Sequence, residues 1–310
     1  MLGVIPFLEY VAFRALAALV SCLPYSWAGG LGTTLGLAVM YLTGYRRSVT
    51  MDNLAHAFPE KSNDELRRIA RGAYANYGRA ILEMLWAGGQ RADALRGKVH
   101  PRDMHIVHQA LNGGRGLILL SAHYGSWEFL LSGLRLHIPA PFLAIAQRQR
   151  NERIDAMIDS RRRRFDVTTV PMGPSVREVL KGLREGKVVL ILGDQSGPRE
   201  SVFIPFFGRP SATHRGAAAF ALRSGAPMVM TLLLRRADGM YDAVFELIDT
   251  SGLTGDREAQ IVELTKRHAA VLERYIRLRP EDWLWMHRRW KHTPGFEQQQ
   301  EAGLDEAGSA

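Results

Sequence analysis

A histidine and a glutamate five positions apart follow an apolar run, and this pair could perform acid–base chemistry. Residues 116–120, Gly-Leu-Ile-Leu-Leu, are typical of a buried strand, and a turn of small residues follows them. His123 lies at the end of that strand, and Glu128 lies where a helix should begin. An imidazole oriented by a carboxylate can take a proton from a hydroxyl near neutral pH. We therefore predict that His123 is a general base and that Glu128 holds its other nitrogen.

In this catalytic interpretation, the activated oxygen attacks a thioester or a similar acyl group. A purely structural interpretation stays open, because a histidine at a strand end can cap a helix. Glutamate is also favourable in the first turn of any helix, where it meets the positive end of the helix dipole. The preceding strand, Gly125 and Trp127 favour the catalytic interpretation without deciding between the two.

Strand-like and helix-like stretches alternate along the middle of the chain. Candidate strands occupy residues 117–120, 142–146, 167–170, 188–192, 228–234 and 243–248. Candidate helices occupy residues 127–136, 152–164, 176–185, 215–223 and 257–278. This alternation predicts an α/β fold with a mixed, largely parallel central sheet that is flanked by helices. His123 and Asp194 each follow a candidate strand, and function gathers at the carboxyl ends of strands in such sheets.

Two capping boxes are expected at helix starts. Ser62 with Glu65 begins a helix that runs towards Leu85 and is closed by glycines 88 and 89. Ser175 with Glu178 has the same spacing before the candidate helix at residues 176–185.

The N-terminal region is unusually apolar. Residues 2–23 carry only Glu9, Arg14 and Ser21 as polar side chains, and their length is close to the ~20 residues that cross a bilayer. Two charges make a clean span costly, so an interfacial or tilted anchor is equally compatible. Residues 31–42 are also apolar but too short and glycine-rich to span. The alternative to an anchor is a secretory signal, because Leu19-Val20-Ser21-Cys22 resembles a lipoprotein cleavage box. No Lys or Arg precedes the apolar region, although such a signal requires one.

These patterns divide the chain into three parts. We predict a membrane-anchoring region over residues 1–44, a catalytic domain over 45–292 and a disordered tail over 293–310. The basic pair Arg46-Arg47 places the body of the protein on the cytoplasmic side of the membrane.

The composition narrows the classes of partner and cofactor. Forty Lys and Arg against 31 Asp and Glu, in 310 residues, give a net charge of +9, which suits an anionic partner. Cys22 is the single cysteine, so an internal disulfide and a cysteine metal cluster are both excluded. No phosphate-binding loop, dinucleotide fingerprint or zinc-ligand spacing is present, and we expect no metal and no cofactor. Nucleic-acid binding is disfavoured because the run of basic residues at 161–164 lacks interleaved aromatic residues.

Several motifs occur in one order along the chain. They are Asn53-Leu54 with Phe58-Pro59, Ser-Ala-His-Tyr-Gly-Ser-Trp-Glu at 121–128, Gly193-Asp194-Gln195, Phe206-Phe207-Gly208, residues 217–227 and the tryptophan-rich residues 283–291. Together they resemble the late (lauroyl/myristoyl-type) acyltransferases of bacterial lipid A biosynthesis, within the glycerol-phosphate and lysophospholipid acyltransferase superfamily. The superfamily signature is histidine, four residues, then an acid. The resemblance covers about residues 5–292.

The resemblance implies roles for further residues. Asp194 and Gln195 match an acidic block that helps to shape the family's site. The family usually has arginine about four residues before an asparagine in the next loop; here Asn151 fits, but Gln147 replaces the arginine. Arg148, with Arg150 beside it, is therefore our candidate donor to a phosphate or to a developing oxyanion.

The four consecutive arginines Arg161, Arg162, Arg163 and Arg164 could dock an acidic carrier protein or lipid phosphates. They could equally be the solvated C-terminal end of a helix. Trp283, Trp285 and Trp290 are either interfacial anchors or core residues.

The resemblance implies an acyltransferase at the cytoplasmic face of a bacterial inner membrane. It would move a fatty acyl chain from acyl carrier protein or acyl-CoA to a hydroxyl of a lipid A precursor, an anionic glycolipid acceptor. One alternative is an acyltransferase for another glycolipid, such as a phosphatidylinositol mannoside, or for a lysophospholipid. The other is a catalytically silent membrane protein that binds lipid or carrier.

Overall fold

The computed structural model of the protein describes residues 4–173, 175–198 and 201–293. Its helices are α1 (Val4–Ser21), α2 (Tyr25–Ala38), α3 (Arg47–Ala57), α4 (Asn63–Ala87), α5 (Ala92–Arg96), α6 (Met104–Asn112), α7 (Trp127–Arg135), α8 (Glu152–Arg163), α9 (Val176–Arg184), α10 (Gly216–Ser224) and α11 (Arg257–Leu278). Its strands are β1 (Val99–Pro101), β2 (Leu117–Ser121), β3 (Phe142–Ala146), β4 (Val167–Pro171), β5 (Val188–Leu192), β6 (Val202–Phe206), β7 (Arg209–Thr213), β8 (Met228–Arg235) and β9 (Tyr241–Leu247). The predicted tail, from residue 294 onward, lies outside the described residues.

Seven strands form the central sheet in the order β1-β9-β8-β2-β5-β3-β4. The five strands from β8 to β4 run parallel, whereas β9 pairs antiparallel with β8 and β1 pairs parallel with β9. The predicted α/β fold with a largely parallel sheet is confirmed, and the six predicted strands match to within two residues at each end. Side chains of β2 alternate between two hydrophobic clusters, Ile118 and Leu120 in one and Leu117 and Leu119 in the other. Helices therefore cover both faces of the sheet.

The hairpin of β6 and β7 is not expected from the sequence. Phe207 and Gly208 form its turn, and their φ values of 52° and 72° are those of a two-residue hairpin turn. Pro205 and Pro210 face each other inside the two strands. Proline removes a backbone donor and weakens the sequence pattern of a strand, so the run does not stand out as a hairpin.

One of the two predicted capping boxes forms. The Ser62 N–H donates to Glu65 Oε2 at 2.9 Å, and the Glu65 N–H donates to Ser62 Oγ at 3.4 Å. The second prediction is wrong, because the Ser175 side chain makes no cap hydrogen bond. Its backbone (φ −83°, ψ 12°) is not extended as at Ser62, so its hydroxyl is not presented to the first turn of α9.

The glycine-rich apolar stretch is a helix that packs closely on α4. A side chain on Gly36 would lie 2.0 Å from the Tyr74 carbonyl oxygen, and one on Gly78 would lie 2.2 Å from the Gly32 carbonyl oxygen. Only glycine lets the two backbones approach so closely. In the described parts of the chain, no helix has both the length and the apolar character needed to cross a bilayer.

Residues 283–293 follow α11 and are hydrogen-bonded to α3. The amide of the buried Asn53 donates to the carbonyl oxygens of Trp285 and His287, at 2.8 Å each. Trp283, Trp285 and Trp290 are all buried in the core, which excludes the interpretation that they are interfacial anchors.

We predict that Asn53→Ala lowers the free energy of unfolding by about 1–3 kcal/mol, because it leaves two carbonyl groups without their donor. Urea unfolding followed by circular dichroism measures the change. Asn63→Ala, the same substitution at an exposed position of α4, is the matched control and should shift the curve far less. Equal losses in the two variants would contradict this role of Asn53.

Candidate functional site

The register of two neighbouring strands brings His123 and Asp194 together. β2 and β5 are adjacent and parallel, and Ser121 at the end of β2 lies opposite Leu192 at the end of β5. His123 is two residues beyond Ser121, and Asp194 is two residues beyond Leu192. The two side chains therefore stand at the same height on the carboxyl rim of the sheet.

The Asp194 carboxylate holds the His123 ring in one orientation. His123 Nδ1 donates to Asp194 Oδ1 at 2.8 Å, and Asp194 Oδ2 accepts from the His123 backbone N–H and from Trp283 Nε1, each at 2.9 Å. An ionised carboxylate can only accept, so the proton of the neutral imidazole lies on Nδ1 and Nε2 carries the lone pair. The Gln195 amide lies 3.3 Å from Nε2 and donates to it.

The electrostatics of the pair favour a charged aspartate and a basic histidine. Burial alone lowers the pKa of His123, but the charge and hydrogen bond of Asp194, with the charge of Glu128, raise it above 6.5. Burial alone would raise the pKa of Asp194, but His123 and the hydrogen bonds to the carboxylate lower it to about 2. His123 is thus a stronger base than an ordinary histidine.

Gly125 fixes the loop that carries His123. Its φ is +56°, and a side chain there would lie 2.5 Å from the Leu233 carbonyl oxygen. Its N–H donates to the Asp282 carbonyl at 2.8 Å, and the Leu284 N–H donates to the His123 carbonyl at 3.0 Å. The loop is therefore clamped between β8 and the segment that follows α11.

The two ring nitrogens of His123 hydrogen-bond to Asp194 and Gln195, so the predicted role of Glu128 as the hydrogen-bonded orienting partner is wrong. Instead, Nη2 of Arg162 donates to both carboxylate oxygens of Glu128, at 2.8 and 2.9 Å. Glu128 lies in the first turn of α7, from which its side chain reaches α8. Sequence proximity suggests Glu128 as the partner of His123, but the in-register strands β2 and β5 bring Asp194 into that position.

A cavity of about 480 Å³ opens beside His123. Part of its lining is apolar and comes from the sheet and α7, namely Trp127, Leu131, Ala144, Ile145, Leu190 and Leu192. Glu128 and Arg162 also line it, and they separate it from a second, much smaller cavity bounded by Met84, Ile158 and Phe165. The site thus combines a base with a cavity whose lining is partly apolar and partly polar.

Arg148 and Arg150 are predicted to bind substrate, but the cavity is lined instead by Gln147 and Gln149. All four residues of this irregular segment are exposed, and only the two glutamines lie against the cavity. Asn151 begins α8: its Oδ1 accepts from the Arg153 N–H at 3.1 Å. Its amide nitrogen donates to the Pro6 carbonyl of α1 at 2.8 Å.

The four consecutive arginines at the end of α8 do not form one free patch. Arg162 is paired with Glu128, and Arg161 packs against Gly88. Arg164 donates to the carbonyl oxygens of Gly88 and Gln90, and Arg163 pairs with Asp159 at 3.3 Å. Arg163 and Arg164 remain exposed, so docking by this helix end stays a prediction that involves two side chains rather than four.

Within residues 4–173, 175–198 and 201–293, no three His, Cys, Asp or Glu side chains come together in a group that could hold a metal ion. Gln195, Ser196 and His287 line the cavity together with His123 and add polar groups to its wall.

Comparison with known proteins agrees with this geometry. Residues 7–292 match the family described as "Bacterial lipid A biosynthesis acyltransferase". The chain is 29% identical over 285 residues to the "Lipid A biosynthesis lauroyltransferase" of Escherichia coli (strain K12), which covers 89% of each chain. It is 26% identical over 274 residues to the "Lipid A biosynthesis palmitoleoyltransferase" of the same strain, over 88% of this chain and 87% of the relative. It is also 26% identical over 241 residues to the "Phosphatidylinositol mannoside acyltransferase" of Mycolicibacterium smegmatis, over 75% of this chain and 74% of the relative.

We predict that Asp194→Asn lowers the pKa of His123 more than Glu128→Gln does. Asp194 supplies both a charge and a hydrogen bond, whereas Glu128 supplies a charge alone. With Asp194 neutral, burial dominates and the pKa should fall below 6.5. Titration of the His123 ring by NMR in the three proteins measures the values. A larger fall in Glu128→Gln would show that the glutamate, and not the aspartate, controls the base.

Proposed function

The chain belongs to the bacterial lipid A biosynthesis acyltransferase family and is an acyltransferase, and from this premise we propose its reaction. It transfers a fatty acyl chain from acyl carrier protein, or from acyl-CoA, to a hydroxyl of a lipid A precursor in lipopolysaccharide biosynthesis. The observation that supports this most directly is the His123–Asp194 pair, in which Asp194 holds Nδ1 and leaves the lone pair of Nε2 beside a partly apolar cavity.

In the proposed reaction, His123 Nε2 takes the proton of the acceptor hydroxyl as its oxygen forms a bond to the thioester carbonyl carbon. The Asp194 carboxylate stabilises the imidazolium through Nδ1–H. The C–S bond then breaks, and the imidazolium returns the proton to the departing thiolate. Gln195 donates to Nε2 in the free protein, so the acceptor hydroxyl takes its place.

Glu128 and Arg162 act together in this proposal. The carboxylate keeps the guanidinium in the cavity wall, where it can donate to the carbonyl oxygen as negative charge develops there. The amides of Gln147 and Gln149 face the same cavity and are further candidate donors. Loss of Glu128 would leave the partly buried Arg162 without its partner, which is a costly arrangement.

The acceptor is the finer part of the proposal. Two relatives are named for lipid A biosynthesis and a third for phosphatidylinositol mannoside, and both acceptors are glycolipids. A phosphatidylinositol mannoside-like glycolipid is therefore the second candidate, and a lysophospholipid, which lacks the sugar, is the third. The His123–Asp194 pair, which is arranged as a general base, disfavours a catalytically silent lipid-binding protein.

We predict that His123→Ala lowers kcat/KM for transfer to a tetra-acylated lipid A precursor by roughly 10²–10⁴-fold, because general-base help of this kind has that magnitude. Mass spectrometry of the product, with acyl carrier protein and coenzyme A thioesters as donors, measures the rate. His108→Ala, an exposed histidine on α6, is the matched control and should leave the rate unchanged. Transfer by the unaltered protein to lysophospholipid alone would exclude the proposed acceptor, and a fully active His123→Ala would exclude the proposed base.

We also propose that α1 and α2 dock the protein on the cytoplasmic face of the bacterial inner membrane. Most large hydrophobic side chains that are exposed in the described residues lie between Ile5 and Tyr45, on α1, α2 and the turn after α2. An apolar band of this kind suits a helix pair that lies in the interface rather than across it. Arg46 and Arg47 are exposed directly after the band, where anionic lipid head groups would meet them.

The double variant Leu19→Ser/Leu42→Ser should bind vesicles of anionic phospholipid at least about tenfold more weakly than the unaltered protein, because each leucine contributes roughly 1.5–3 kcal/mol when it is buried. Both leucines are largely exposed in the free protein, so folding should be unaffected. The matched control is Leu247→Ser/Leu278→Ser, which removes two exposed leucines on β9 and α11. Flotation with the vesicles measures binding, and equal losses in the two double variants would refute docking through α1 and α2.

A further inference from the structure

A cluster of basic side chains lines the catalytic cavity on the side of the C-terminal segment. His214, His287 and Lys291 all face the same cavity as His123. His287 lies next to the segment after β5, because its Nε2 accepts a hydrogen bond from the Ser196 N–H at 3.0 Å. None of these three residues has a place in the reaction described above.

The charges of this region are not balanced by acids. Burial lowers the pKa of His214, and the neighbouring charges of Arg289 and Lys291 lower it further. In the described part of the chain, Lys291 makes no ion pair with an Asp or Glu. Asp194, whose charge also acts on His287 and Arg289, accepts three hydrogen bonds from His123 and Trp283, and Glu128 is paired with Arg162. The region is therefore prepared for an anion that the protein itself does not supply.

The two histidines add directional donors to the charge of the lysine. His287 Nε2 accepts from a backbone N–H, so the proton of its neutral ring lies on Nδ1 and is free to be donated. Burial, with the charges of His123, Arg289 and Lys291, lowers the pKa of His287 to about 4 against the opposing charge of Asp194, so its ring is neutral near pH 7.

We propose that His214, His287 and Lys291 form a subsite for a phosphate ester of one of the two substrates. A phosphate offers several acceptor oxygens and a charge near −2, which matches one ammonium group and two imidazole donors. The inference rests on the proposed acyl transfer, in which the acceptor is an anionic glycolipid and the carrier presents its thioester on a phosphopantetheine arm. Bound there, the phosphate would fix its substrate relative to His123.

The phosphate could belong to the head group of the acceptor or to the pantetheine arm of the donor. Two pairs of small probes separate these sources without any need for catalysis: glucose 1-phosphate against glucose, and 4′-phosphopantetheine against pantetheine. Binding is followed by NMR through the ring resonances of His214 and His287.

The unaltered protein should bind one phosphorylated probe at least about tenfold more tightly than its phosphate-free partner, since one charge-assisted contact of this kind is worth roughly 1.5–3 kcal/mol. Lys291→Gln should abolish that preference, and His214→Asn should weaken it. Lys181→Gln, which removes an exposed lysine from α9, is the matched control and should keep it. Preference for glucose 1-phosphate assigns the subsite to the acceptor, and preference for 4′-phosphopantetheine assigns it to the donor.

No preference for either phosphorylated probe, or a preference that survives in Lys291→Gln, would overturn the subsite. Steady-state kinetics give the second measurement, in which Lys291→Gln should raise KM for the phosphorylated substrate about tenfold and change kcat little. If the unaltered protein shows the phosphate preference but no acyl transfer to any acceptor, the proposed reaction fails while the subsite stands. Acyl transfer without the preference would instead support the reaction and exclude the subsite.

Discussion

The carboxylate of Asp194 is the group on which the arrangement of the site depends. It is almost wholly buried, and it accepts hydrogen bonds from the ring and backbone of His123 and from the indole of Trp283. Three separated parts of the chain thus converge on one charge. A buried carboxylate is tolerated only when such donors compensate for the water that it has lost. The same bonds that make the charge tolerable also set the tautomer and the direction of the imidazole, so stability and chemistry are joined at this residue.

The cavity beside the His123–Asp194 pair is lined by both apolar and polar side chains. Aliphatic side chains of α7, β3 and β5 line one part of it, and the Glu128–Arg162 pair lies in the same wall. His214, which follows β7, and His287 and Lys291 of the C-terminal segment also line it. The cavity beside His123 therefore offers both apolar and charged side chains to a ligand.

Much of the fold can be predicted from the sequence because buried strands and amphipathic helices leave a periodic signal. Apolar runs locate six of the nine strands of the described residues, and His123 and Asp194 both stand out as residues that follow strands. Strand order leaves no comparable signal, so the adjacency of β2 and β5 cannot be predicted, and the nearer Glu128 is the partner that the sequence suggests for His123. Arg148 lies in an irregular segment after β3, where no periodic pattern predicts the direction of a side chain.

The segment that follows α11 has a consequence for how the protein is made. Trp283 binds Asp194, Leu284 binds the His123 loop, and Asn53 secures the same segment from the opposite end of the chain. Because a ribosome delivers these residues late, the nascent polypeptide has its base and its aspartate long before it has the indole that completes them. The hydrogen-bonding network around Asp194 is therefore complete only once the segment after α11 has been synthesised.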